Sequence, residues 1–216
     1  MLHYRRSAAD AEALAAELNA LRPGSAAIAA ADFGDARALN GLVEATVARF
    51  GRLDGLVNNA SSYFATPIGS IDEAAWQDLL GSNLKGPLFL SQAAAPHLRA
   101  ARGAIVNITD VHAERPVKGY PTYCAAKAGL LGLTRSLAIE LAPEVRVNAV
   151  APGAIQWPDG DDDFPPAERE AIICHTLLKR IGSPDDIART VKFLIFDAPY
   201  ITGQVINVDG GRTAHL

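Results

Sequence analysis

Short apolar runs alternate with longer stretches of helical periodicity along nearly the whole chain, and this alternation limits the possible folds more than any other feature. AAIAA (Ala26–Ala30), LDGLVNN (Leu53–Asn59), AIVNIT (Ala104–Thr109), VRVNAVAPG (Val145–Gly153) and QVINVDGG (Gln204–Gly211) read as buried strands. Ser7–Leu21, Asp35–Phe50, Glu73–Ala100 and Pro121–Leu141 carry apolar residues at helical spacing. Asp35 and Asp72 stand where N-caps belong, and Ser183 followed by Pro184 is a matched helix start. Strands separated by helices are joined by long crossovers, which parallel pairing requires and hairpins do not. The expected class is therefore α/β, a doubly wound parallel sheet with helices on both faces.

The 216 residues, 49 % of them apolar, suffice for one sizeable core, so residues 1–216 read as a single domain. A net charge of −4 gives no electrostatic case for nucleic acid or an anionic membrane as partner. Cys124 and Cys174 suggest no disulfide framework, which fits the reducing cytoplasm expected as the location. No apolar run reaches the roughly 18–20 residues of a membrane span, and no metal site is expected. The irregular run QWPDGDDDFPP, Gln156–Pro166, holds three prolines and four aspartates and reads as a loop after a strand. It is either a solvated surface loop or a substrate lid, since ligands of such folds gather at the strand C-termini.

Chemistry first shows at Tyr123 and Lys127. Spaced i and i+4, they share one helical face, and a cation beside a phenol favours phenolate and draws its pKa down toward working pH. Such a tyrosine serves as a general acid. With NNA at Asn58–Ala60, Asn83 in SNLKGPLFL, PG at Pro152–Gly153 and the closing YITGQVINVDGG, the pair resembles the short-chain dehydrogenase/reductase family over essentially the whole sequence. The resemblance implies a Rossmann-type sheet and a nicotinamide cofactor. It implies Tyr123 as proton donor, Lys127 as holder of the nicotinamide ribose and Asn83 as anchor of a water chain that resupplies the proton. Asn59, Ala60, Pro152, Gly153 and Ile155 would border the cofactor, and the long helices imply a homotetramer.

Most of that family has serine thirteen residues before the tyrosine; this chain has Asp110. Hydride addition to a ketone creates an alkoxide, which an ionised carboxylate would oppose. Addition to a C=N bond instead leaves a nitrogen that must take a proton, which a protonated aspartate or tyrosine can pass on. Alternatively Thr109 replaces the serine and Asp110 merely caps a loop. NNASSYFATP, DVHAERPVKGYPTY and GAIQWP resemble the pteridine reductase branch, including its bacterial dihydromonapterin reductase members. On that resemblance Tyr63 stacks on the bicyclic ring, Ser61 bonds the cofactor or the pterin edge, and Trp157 joins Asp110 and Tyr123 around the substrate. Tyr63 also has a plainer reading, as an aromatic packed at a strand end.

LHYRRS, Leu2–Ser7, resembles the end of the strand that reads the adenosine ribose. It carries no acid for a 2′-hydroxyl, but has Arg5, Arg6 and Ser7, suited to a 2′-phosphate, so the expected cofactor is NADPH. His3 and Tyr4 belong to the same segment, and Asp32 and Phe33 should flank the adenine. The family places a strand, a glycine-rich turn and a helix ahead of this segment; none of the 18 glycines forms G-x-x-x-G-x-G or G-x-G-x-x-G. The expectation is a sheet interrupted at the position of that strand. A βα unit of roughly 25–35 residues would then precede Met1 in the natural protein. The alternatives are a reductase of ketones or 3-oxoacyl substrates, and a non-catalytic relic acting only in assembly.

Overall fold

The structure, a computed structural model, describes residues 1–157 and 165–214. Strand β1 (Leu2–Tyr4) leads through helix α1 (Ala8–Leu21) to β2 (Ile28–Ala30), and the two strands pair in parallel, Leu2 opposite Ile28. Helix α2 (Ala36–Phe50) starts at Asp35, whose carboxylate accepts from the Arg37 amide, and stops at Gly51, which takes the left-handed φ of 79°. Strands β3 (Gly55–Asn58), β4 (Ala104–Ile108), β5 (Arg146–Pro152) and β6 (Val205–Val208) form a second, parallel sheet in the order β3-β4-β5-β6. The fold is thus the α/β architecture that the alternation predicts, with parallel strands ending along a common edge.

The expected interruption is present. β1 and β3 belong to separate sheets, and a cavity of about 630 Å³ lined by both, together with α1 and α2, lies between them. Leu14 and Val57 line it and remain 45 % and 40 % exposed.

Helix α3 (Glu73–Leu80), capped by Asp72, runs through a π turn at Gly81–Lys85 into α4 (Gly86–Ala101). Periodicity predicts one helix here; the wider turn arises where Asn83, 1 % exposed, directs its amide back to the Leu79 and Ser62 carbonyls. Helix α5 (Pro121–Glu140) crosses from β4 to β5, and α6 (Pro166–Cys174) and α7 (Pro184–Lys192) precede β6. Ser183 and Asp186 form a reciprocal capping box on α7, as the Ser183–Pro184 start signal anticipates. The main core packs Leu39, Leu42, Leu90, Leu98, Ile105 and Val147 between α2, α4, β4 and β5. Among the described residues no helix is long and apolar enough to cross a membrane. Of the acidic run after β5, Pro158–Phe164 lie outside the described residues, so the loop and lid readings both fall there.

Candidate active site

Helix α5 places Tyr123 and Lys127 on one face, and β4 ends at Ile108 so that Asp110 arrives opposite them. Tyr123 is 4 % exposed and Lys127 2 %. The two oxygens of Asp110 divide their work: Oδ1 accepts from the His112 amide at 2.8 Å, capping the short turn Val111–Ala113, and Oδ2 accepts from the Tyr123 hydroxyl at 2.6 Å. Asp110 is both the loop cap and the phenol's partner. Thr109 is 2 % exposed and its hydroxyl donates to the Val150 carbonyl at 2.9 Å, so it is committed to β5.

The electrostatics differ from the expectation that Lys127 draws the phenol's pKa down. Burial first, and then the negative charge of Asp110, push the Tyr123 phenol well above its usual range. Lys127 donates to the Ile108 carbonyl at 2.9 Å and stands 5.7 Å from the Tyr123 ring centre, while the carboxylate is in direct contact. Burial lowers Lys127 itself to about 8, with Asp110 opposing. The cluster is the Asp110 carboxyl group, a phenol hydrogen-bonded to it and a desolvated ammonium held by the Ile108 carbonyl.

The loop after β3 forms the opposite wall. Ser61 Oγ donates to Asn83 Oδ1 at 2.6 Å, and Asn83 Nδ2 donates to the Ser62 carbonyl at 2.9 Å. Ser62 also donates from its amide to Ser82 Oγ and from its hydroxyl to Asp78. That hydroxyl holds the Asp78 carboxyl below its usual range. The Asn83 side chain also donates to the Leu79 carbonyl, tying this loop to its own helical turn. The loop delivers Tyr63, whose ring stacks on Tyr120 with centres 4.7 Å apart and meets Tyr123 edge-on at 4.8 Å. Tyr63 is 46 % exposed, with one ring face packed on Tyr120 as the plainer reading expects.

Arg5, Arg6 and Ser7 follow the C-terminal end of β1 and are exposed. Ser7 is the N-cap of α1 without a side-chain cap bond, and Arg5 stands 3.8 Å from Asp32 and 3.5 Å from Asp78. Tyr4 ends β1 and borders the cavity between the sheets; His3 bonds the Ala31 carbonyl and stacks on Phe33 at 4.7 Å. Phe33 is 7 % exposed and packs against Gly86 of α4 in the main core, and it also lines the cavity between the sheets. Asn59 and Ala60 follow β3, Pro152 ends β5, and the Gly153 amide donates to the Val208 carbonyl. A side chain at Gly153 would press on Asp209 backbone at 2.8 Å, and Ile155 packs at Gly182. Trp157 lies under the Arg169 guanidinium, 5.5 Å from its ring centre. Tyr120, Ser62, Ser82 and Asp78 escape sequence reasoning. Only the spacing of Asp78 and Ser82, one helical turn apart ahead of Asn83, signals them.

A sequence profile for the family described as enoyl-(acyl carrier protein) reductase matches residues 1–213. Pteridine reductase 1 of Leishmania tarentolae is 39 % identical over 251 aligned positions, covering 97 % of this chain and 86 % of that protein. A 3-oxoacyl-(acyl-carrier-protein) reductase of Staphylococcus aureus is 40 % identical over 213 positions with the same coverage, 97 % and 86 %. A solved structure from Sinorhizobium meliloti, described as a short-chain alcohol dehydrogenase, superimposes with a TM-score of 0.89 at 35 % identity, covering 99 % of this chain and 86 % of its own. With the parallel sheet and the Asp110–Tyr123–Lys127 cluster, these likenesses establish that the chain belongs to the short-chain dehydrogenase/reductase family and is an oxidoreductase of Rossmann-type fold.

Proposed function

We propose that the protein reduces the C=N bond of a pterin, dihydropterin to tetrahydropterin, with NADPH. The observation that carries this reading is the 2.6 Å hydrogen bond from Tyr123 to Asp110. A carboxylate in that place works against an alkoxide, whereas a nitrogen that has just received electron density needs the proton this pair can hand over. Tyr63 and Tyr120 offer flat apolar surface beside the phenol, which suits a bicyclic ring. The likeness to a pteridine reductase supports the same reading.

NADPH would supply the hydride. At its adenosine end the exposed Arg6, the uncapped Ser7 hydroxyl and the α1 N-terminus suit a 2′-phosphate, with Arg5 released from Asp32 and Asp78. At the nicotinamide end Lys127 would hold the ribose, and Asn59, Ala60, Ser61, Pro152, Gly153 and Ile155 would border the ring. Arg6→Asp should weaken NADPH binding about ten- to a hundredfold and favour NADH. Fluorescence titration with both nucleotides checks this; equal loss for both would assign the arginine to folding.

A second reading, reduction of a ketone or 3-oxoacyl thioester, is favoured by the 40 % identity to the Staphylococcus aureus reductase. Comparing turnover of a dihydropterin and a 3-oxoacyl thioester under the same conditions separates the two. We also propose a homotetramer assembled through the α4 and α5 faces, where Ile139 is 78 % exposed.

A further inference from the structure

Arg5 stands between two carboxylates that come from different parts of the fold. Its Nε lies 3.8 Å from Asp32, in the loop after β2, and its Nη2 lies 3.5 Å from Asp78, near the end of α3. Asp78 is the shared member of a longer chain: Oδ2 faces Arg5, and Oδ1 accepts from the Ser62 hydroxyl. Ser62 precedes Tyr63, whose ring meets Tyr123 edge-on at 4.8 Å. Arg5 follows β1 in one sheet and Ser62 follows β3 in the other, so Asp78 joins side chains from both sides of the split.

The two contacts of Asp78 differ in strength. The Arg5 and Asp78 side chains are 36 % and 35 % exposed, so their ion pair contributes little and yields readily to a better partner. A phosphate dianion is such a partner, because it takes the guanidinium fork through two parallel bonds. The Ser62 hydroxyl is held more firmly: ahead of Arg5, it is the foremost cause that keeps the Asp78 carboxyl below its usual range. Ser62 is fixed besides by its amide, which donates to Ser82 Oγ, and by its carbonyl, which accepts from Asn83 Nδ2. Withdrawing Arg5 leaves the carboxylate less compensated, and so a stronger acceptor for the Ser62 hydroxyl.

We propose that Asp78 is a positioning residue that couples the nucleotide end of the site to the substrate wall. In the free protein it competes for Arg5; when a 2′-phosphate draws Arg5 away, Asp78 closes on Ser62 and tightens the loop that carries Tyr63. This coupling rests on the NADPH reading of the segment Arg5–Ser7. It adds a consequence that NADH would not produce, since a 2′-hydroxyl carries no charge to draw off the guanidinium. Coupling is reciprocal, so a ligand that orders the loop also releases Arg5 for the phosphate. Because one exposed ion pair is exchanged, the effect on either equilibrium is about two- to fivefold.

Adenosine 2′,5′-bisphosphate and adenosine 5′-monophosphate serve as probes, since neither requires hydride transfer or a ring substrate. Calorimetry gives their affinities for the parent, Asp78→Asn and Ser62→Ala, and NMR hydrogen exchange of the Ser62 amide reports the loop. Asp78→Asn keeps an acceptor for Ser62 and removes the charge, whereas Ser62→Ala keeps the ion pair and removes the hydroxyl. In the parent the bisphosphate should slow exchange of that amide about two- to fivefold and the monophosphate should not; either substitution should abolish the slowing. Asp78→Asn should also bind the bisphosphate about two- to fivefold more tightly, with the monophosphate unchanged. Slowing that survives Asp78→Asn, or that both nucleotides produce equally, would overturn the coupling while leaving a preference for the 2′-phosphate intact. Equal binding of the two nucleotides by the parent would sink the NADPH reading itself, and the coupling with it.

Discussion

Lys127 illustrates how far a single residue's behaviour departs from its neighbours in sequence. Spacing places it beside Tyr123; only the fold buries it to 2 % exposure and brings its pKa from 10.5 to about 8. Between about 8 and 10.5 the unfolded chain holds more protons here than the folded one, so stability at this site rises with pH across that window. Below about 8 both states are charged and the burial penalty is present in full. From pH 7.5 to 10, urea denaturation should show the parent gaining about 2 kcal/mol relative to Lys127→Met. Parallel pH profiles would mean that water reaches the ammonium. Tyr123, Lys127 and Asp110 are legible in the sequence because their types and intervals are unusual together. The direction of the phenol's shift is not, because it depends on a carboxylate brought from another strand to 2.6 Å.

At the scale of elements, strands and helices follow from alternating periodicity to within a few residues, as β4 and α5 show. The π turn at Gly81–Lys85 was hidden, since one extra residue in a turn hardly disturbs apolar spacing on either side. The packing of Phe33 was hidden for a related reason: the sequence locates it after β2 but cannot show that Gly86 of α4 leaves room for its ring. A Cβ at Gly86 would lie 2.5 Å from that ring, so Gly86→Ala should cost about 1–3 kcal/mol through overpacking. Chemical denaturation measures it; an unchanged midpoint would show that Phe33 can swing out of the core. The clamp of Asp78, Ser82 and Asn83 on residues 61 and 62 was equally hidden, being made between elements far apart in sequence.

For the whole molecule, the split between β1-β2 and β3-β6 sets the two ends of the expected cofactor site on separate sheets. The sequence anticipated the split from the glycine pattern, while the 630 Å³ cavity between the sheets emerges only in three dimensions. Assembly is the other property of this scale. Exposed Ile139 on α5 leads us to expect a tetramer by light scattering at micromolar concentration, and a monomer would count against the proposed helical interface. The account as a whole turns on the carboxyl group beside the Tyr123 phenol. Its most direct test is NADPH-dependent reduction of a dihydropterin by the parent and by Asp110→Ser. Pterin turnover should fall about 10²–10⁴-fold in kcat with NADPH affinity nearly unchanged. If the serine variant reduces dihydropterin as fast as the parent, Asp110 serves only as a loop cap and the chemical argument for a pterin is lost.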